Sequence, residues 1–175
     1  AFTAFAEGGA FANAFTDMQK TAYYFSSRDK FDENLTLLLR LVQNPFFREE
    51  GTEKEKKIIN SEITMYEDDP GWIVFFNLLK AMYQNHTVKN PIAGTVETVQ
   101  EINKDTLQRC YEAFYTPENF SLVCVGDVDA DYILEQAEGL MKKTKRTRAV
   151  SLFEKEPEEI FEKYKEIRRP ACRER

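Results

Sequence analysis

The sequence predicts an α+β fold, a two-layer sandwich in which helices cover a largely antiparallel sheet. Three observations carry this. Two short runs of aromatic, small and hydroxyl-bearing residues lie near the start, joined by a short polar link. Several longer stretches repeat apolar residues at helical spacing. Strand-like and helix-like stretches mix without strict alternation, which disfavours a doubly wound parallel sheet.

The first run, Ala10–Thr16 (AFANAFT), alternates apolar with small or polar residues and reads as a strand. The second, Thr21–Ser27 (TAYYFSS), is short and aromatic and also reads as a strand. Asp17 to Lys20 is short enough to close a hairpin, and Gly8-Gly9 marks a turn before it. A helix is predicted from Lys30 to Asn44, with Phe31, Leu35, Leu38, Leu39 and Val42 on its core face and Pro45 as its stop. A second helix is predicted from Thr52 to Tyr66, opened by a Thr52/Glu55 capping box. Asp69-Pro70-Gly71 breaks the chain, and a third helix runs from Trp72 to Asn85. After a loop with Pro91 and Gly94 come a short helix, Val96–Glu101, and a longer one, Asp105–Tyr115. Phe120–Val125 (FSLVCV) reads as a buried strand closed by Gly126. A last helix is expected over Ala130–Lys143. Residues 150–175 are highly charged, hold little core material beyond Ile160, Phe161 and Tyr164, and read as a linker or arm.

The 175 residues suffice for one domain with a real core. At 42% hydrophobic and 31% charged, the composition is that of a globular chain. A net charge of −6 argues against a nucleic-acid partner, which needs a positive field along the phosphates. No apolar stretch approaches the ~20 residues that cross a bilayer, so no membrane partner is expected. Cys110, Cys124 and Cys172 are odd in number and scattered, with no CxxC pair; they read as reduced thiols in a cytoplasmic compartment. Cys124, in an apolar run, reads as a small buried hydrophobe.

Glu55 and Glu62 are the sharpest chemical feature. Seven residues is about two helical turns, so both carboxylates share a helix face. Glu62 also lies beside Ile58, Ile59 and Ile63, near the apolar stripe. A carboxylate there is costly unless it is paired or binds a metal, although a solvated or salt-bridged glutamate on a charged helix gives the same pattern. His86, the only histidine, reads as a solvated loop residue. A catalytic zinc site needs more histidines or thiolates than this chain can gather. No local signature supports a Cys-His or Ser-His nucleophile, and Gly8-Gly9 lacks the rest of a phosphate loop. Lys142, Lys143, Lys145, Arg146 and Arg148 read as a solvated basic helix end.

Several segments, in order, resemble the insulinase/pitrilysin family of zinc metallopeptidases. Gly8-Gly9-Ala10-Phe11-Ala12-Asn13-Ala14-Phe15-Thr16 with Thr21-Ala22-Tyr23-Tyr24-Phe25 is similar to the family's GG…NAxT…YYF segment. Glu53-Lys54-Glu55 through Asn60-Ser61-Glu62 is similar to its E-x-E…E helix. Ile92-Ala93-Gly94-Thr95, Phe114-Tyr115-Thr116-Pro117-Glu118-Asn119 and Val125-Gly126-Asp127-Val128 resemble its later landmarks. The resemblance covers about residues 1–145 and is nearest to bacterial two-domain members similar to mitochondrial processing peptidase.

The resemblance implies a zinc endopeptidase. In the family an inverted H-x-x-E-H motif supplies two zinc ligands and a base, and a glutamate on a later helix is the third ligand; the metal activates a water. By position Glu62 matches that ligand and Glu55 the accessory acidic residue. Asn13, Ala14 and Phe15 match the edge strand that pairs with an extended peptide substrate. H-x-x-E-H does not occur here. The expectation is therefore a half-domain like that of the processing peptidase, cut at its N-terminal side. Residues 1–148 would be a partial peptidase domain and 149–175 a linker toward a second homologous domain. Zinc is expected in the full-length protein, with none tightly bound and no activity in this piece alone. A second half-domain or partner subunit, or a dimer through a bare sheet edge, is expected as partner. The alternative is a non-catalytic subunit that contributes a wall to a partner's chamber.

Overall fold

A computed structural model describes residues 2–143, 149–150 and 152–163. They fall into two compact units, one from the described parts of 1–48 and 104–150, the other from those of 49–103 and 151–175. No helix among the described residues is long and apolar enough to cross a membrane.

The first unit is built on a hairpin. Strand β1 (Ala10–Thr16) pairs antiparallel with β2 (Thr21–Ser27), Ala10 opposite Ser27 and Thr16 opposite Thr21. The link is held by Asp17, whose Oδ1 accepts from the Gln19 and Lys20 amides at 2.8 and 2.9 Å; a short acceptor folding back on its own backbone is what makes Asp a turn residue. A short helix, α1 (Phe2–Glu7), precedes the hairpin and was not foreseen. It delivers Phe5, fully buried, onto Phe25, which in turn meets Phe31. Gly9 turns the chain from α1 into β1 with a positive φ of 73°, a conformation other residues resist.

Helix α2 (Phe31–Gln43) places Leu35 and Leu39 in the core and stops before Pro45. α6 (Lys104–Phe114) and α7 (Ala130–Leu140) complete this unit. Gln43 Nε2 donates to the Leu140 carbonyl at 3.2 Å, so α2 and α7 are tied end to end. The expectation of a strand at Phe120–Val125 is not met: these residues are irregular, and Val123 and Val125 are 80% and 94% exposed. A strand is defined by its ladder, and the one sheet among the described residues consists of β1 and β2 alone. Apolar residues alone cannot supply a pairing neighbour. Cys124 is accordingly only half-buried.

The second unit is helical. α3 (Glu49–Glu67), α4 (Pro70–Met82) and α5 (Val96–Glu101) bury Ile63, Phe76, Ala81 and Val99. Asp69 caps α4 by accepting from the Gly71 amide at 2.8 Å, with Pro70 at the first turn, where its missing N–H costs nothing. Tyr66 stacks on Trp72, and the Phe76 ring meets Trp72 tilted by 50°, each pair 4.5 Å between centroids. Thr95 and Thr98 exchange capping hydrogen bonds at the start of α5. Gly94 is required there: its φ is +76°, and a Cβ would lie 2.6 Å from Thr98 Oγ1.

The Thr52/Glu55 capping box is corrected. α3 starts three residues earlier, at Glu49, and Thr52 is buried within it. Glu49 and Glu50 occupy the first turn instead, where the helix dipole favours acids. The Lys142–Arg148 run lies partly outside the described residues, as do Tyr164 and Cys172.

Candidate functional site

α3 fixes the geometry of the acidic pair. Its buried residues are Thr52, Lys56 and Ile63, a stripe at helical spacing that faces the unit's core. Glu55 and Glu62 each precede a buried residue by one position, about a quarter-turn around the helix. Both are exposed. Neither makes a hydrogen bond or ion pair among the described residues. They flank the apolar stripe rather than sit in it, so neither carries a desolvation cost. What the helix offers is two solvated carboxylates on one face.

The contrast with Lys56 is informative. That lysine is buried, and its Nζ donates to Glu53 Oε1 at 2.6 Å and to the Gln100 carbonyl at 3.2 Å. It ties α3 to α5. Of these three charged groups on the helix, Lys56 holds the fold and Glu55 and Glu62 do not.

Asn13, Ala14 and Phe15 stand side by side on β1, opposite Tyr24, Tyr23 and Ala22. Asn13 and Phe15 are exposed and Ala14 is half-buried. The Ala14 amide donates to Asn13 Oδ1 at 2.8 Å. The hairpin also meets a group of tyrosines whose contacts with one another the sequence did not reveal. Tyr23 and Tyr115 share a hydroxyl–hydroxyl hydrogen bond of 2.8 Å. Tyr115 stacks on Tyr111, whose hydroxyl donates to the Val42 carbonyl. Burial, then the bond to Tyr23, pushes the Tyr115 hydroxyl far up, and burial raises Tyr111. Both stay neutral at ordinary pH; Tyr115, just past the end of α6, is tied to β2, and Tyr111 ties α6 to α2.

His86 is half-buried rather than solvated. Its Nδ1 accepts from the Val88 amide at 3.0 Å, and its ring stacks on Phe153. It is used structurally. The described residues include no group of three or more His, Cys, Asp or Glu that can hold a metal ion. One free carboxylate with one neighbour two turns away does not make a zinc site, so the donors present do not fit the metal by themselves.

With these features in place, comparison with known proteins identifies the class. Residues 2–96 match the family model Insulinase (Peptidase family M16), and residues 101–173 match Peptidase M16 inactive domain. The chain belongs to the insulinase family of peptidases. It is 44% identical over 170 residues to the uncharacterized zinc protease YmfH of Bacillus subtilis, covering 95% of this chain and 40% of that one. A second Bacillus subtilis protein, the uncharacterized zinc protease YmxG, is 36% identical over 129 residues, 71% of this chain and 31% of that one. A crystal structure described as an M16-like peptidase from Alicyclobacillus acidocaldarius superposes with a TM-score of 0.84 at 40% identity, over 92% of this chain and 39% of that one. A Helicobacter pylori protease, at 19% identity and a TM-score of 0.79 over 89% of this chain and 38% of that one, shares the fold. The chain therefore spans about 40% of the length of YmfH and of the Alicyclobacillus protein.

Proposed function

We propose that the full-length protein is a zinc-dependent endopeptidase, and that this chain is inactive alone. In this reading Glu62 is one oxygen ligand of the metal, Glu55 an accessory acid that supports it, and Asn13, Ala14 and Phe15 the edge that an extended peptide substrate pairs with. Residues 1–148 would form part of one peptidase half-domain and 149–175 the link to a second. The observation that carries the reading is the pair of solvated, unpartnered carboxylates two turns apart on α3, in a chain whose relatives are named zinc proteases. Among the described residues β1 has one edge with no strand beside it, which supports the substrate assignment, because main-chain pairing needs an open edge. The same edge suits a second copy of the chain.

The test is made on the full-length protein. Wild type should carry stoichiometric zinc by elemental analysis and cleave unstructured peptides. Glu62→Gln should lose both, and Glu55→Gln should lose about 10–100-fold of activity. Full metal and activity in Glu62→Gln would remove the assignment.

One observation favours a second reading, a non-catalytic subunit that helps form a partner's chamber: residues 101–173 match a family model described as inactive. A full-length protein with neither zinc nor hydrolysis, but with a stable complex with an active homologue, would decide for it.

A further inference from the structure

Residues 152–163 contain neither helix nor strand, yet they are held along one site of the second unit. Past the end of α4, the amides of Gln84, Asn85 and His86 follow in sequence and all donate to one carboxylate, that of Glu156. The bonds from Gln84 and Asn85 measure 2.9 and 2.7 Å. Three successive N–H groups aimed at one anion form a concave receptor of the kind that binds carboxylates and phosphates. Charge-assisted bonds of this type are among the stronger ones.

The carboxylate is not alone. Asn85 Nδ2 donates to the Lys155 carbonyl at 3.2 Å and Gln84 Nε2 to the Glu159 carbonyl at 3.0 Å. The Glu162 amide donates to the Ala81 carbonyl at 3.0 Å, satisfying a backbone acceptor at the end of α4. The Phe153 ring stacks on His86, 4.6 Å between centroids and 17° from parallel. Lys89 Nζ donates to the Gln84 carbonyl, which pins the 84–86 loop from its other side. The contacts run from Phe153 to Glu162, and each uses a group that irregular chain would otherwise leave to water.

We propose that residues 152–163 are a strap and not a free tether, latched by Glu156 in the amide receptor of residues 84–86. The latch makes this stretch part of the second unit's body, so any sequence beyond it starts from a fixed point at the end of α4. This inference does not depend on the peptidase assignment, because none of its residues is placed in that site.

The experiment is amide hydrogen exchange by NMR on the 175-residue chain, comparing wild type, Glu156→Gln and the exposed neighbour Glu158→Gln. Removing the charge should speed exchange at Gln84, Asn85 and His86 about tenfold or more and shift the Phe153 and His86 ring signals, while Phe76 within α4 keeps its rate. Glu158→Gln should leave all of these unchanged. Unchanged rates at 84–86 in Glu156→Gln, or equal effects of the two variants, would overturn the latch. A second measurement needs no variant: trypsin should cut after Lys155 more slowly in the wild-type chain than in a free peptide of residues 152–163. Equal rates would overturn the strap itself.

Discussion

Glu62 on α3 and Glu156 on the strap belong to the same unit and meet opposite circumstances. Glu156 is answered from within the chain, by three backbone amides 70 to 72 residues away in sequence. Glu62 is answered by nothing among the described residues. A carboxylate that the chain itself satisfies is part of the architecture. One that the chain presents to solvent on a rigid helix, beside a buried stripe that fixes its direction, is free to serve something the described residues lack. The contrast also separates stability from function: substitution should be costly where partners are internal and nearly silent to folding where they are not.

The sharpest way to break this contrast uses adjacent residues. Ile63 is 5% exposed and Glu62 is its immediate neighbour. Ile63→Ala should destabilise the chain by about 2–5 kcal/mol in urea titrations, the usual result of emptying a core position. Glu62→Ala should stay within about 0.5 kcal/mol, as surface substitutions do. A large loss for Glu62→Ala would mean that the carboxylate holds the fold and would weaken its assignment to a metal.

A smaller effect sharpens it within one helix. Lys56→Met removes the donor that the Gln100 carbonyl receives and leaves that acceptor without this partner at the α3–α5 contact. The expected loss is about 1 kcal/mol, the usual net worth of one intramolecular hydrogen bond. Glu55→Met, one position away and exposed, should be close to neutral. Parallel thermal melts of the two variants check this, and equal shifts would contradict the division of α3 into holding and presenting charges.

How much of this was legible follows the range of each interaction. The hairpin, α2 and α5 could be read because their signals are local: alternation in AFANAFT, Pro45 as a stop, the Pro91 and Gly94 loop before Val96. The family was legible because its landmarks occur in order along the chain. Phe120–Val125 was misread as a strand because apolar content says nothing about whether a neighbouring strand exists. The cost that the sequence suggested for Glu62 does not arise, because Glu62 is exposed and its neighbour Ile58 is itself 44% exposed. The strap was invisible because Glu156 lies in a run of charged residues and its receptor is backbone, which leaves no mark in side-chain sequence. His86 was set aside as solvated for the same reason; its partners, the Val88 amide and Phe153, are an amide and a distant ring.

The smallest effect expected is a pH dependence confined to the strap. Glu156 has an ordinary value of 4.5. Partial desolvation by its surroundings raises it, but the amide hydrogen bonds from Gln84, His86 and Asn85 together outweigh that, helped by the nearby His86, and the net direction is down. His86, Lys89 and Tyr83, whose ring packs on His86, are titratable groups that bear on the receptor loop, and Lys155 and Glu159 meet it through their carbonyls. A carboxyl group lowered by folding binds fewer protons in the folded chain than in the unfolded one. Its contribution is therefore complete above 4.5 and disappears as pH falls through the lower, folded value. Exchange at Gln84, Asn85 and His86, corrected for the intrinsic dependence of exchange on pH, should stay slow from neutral pH to about 5 and rise below it. The amides of α4 should keep their protection over the same range, and the Glu156 carboxyl carbon should report a midpoint under 4.5. A midpoint above that value would mean that desolvation dominates, and Glu156 would then resemble a merely buried acid more than the latch described here.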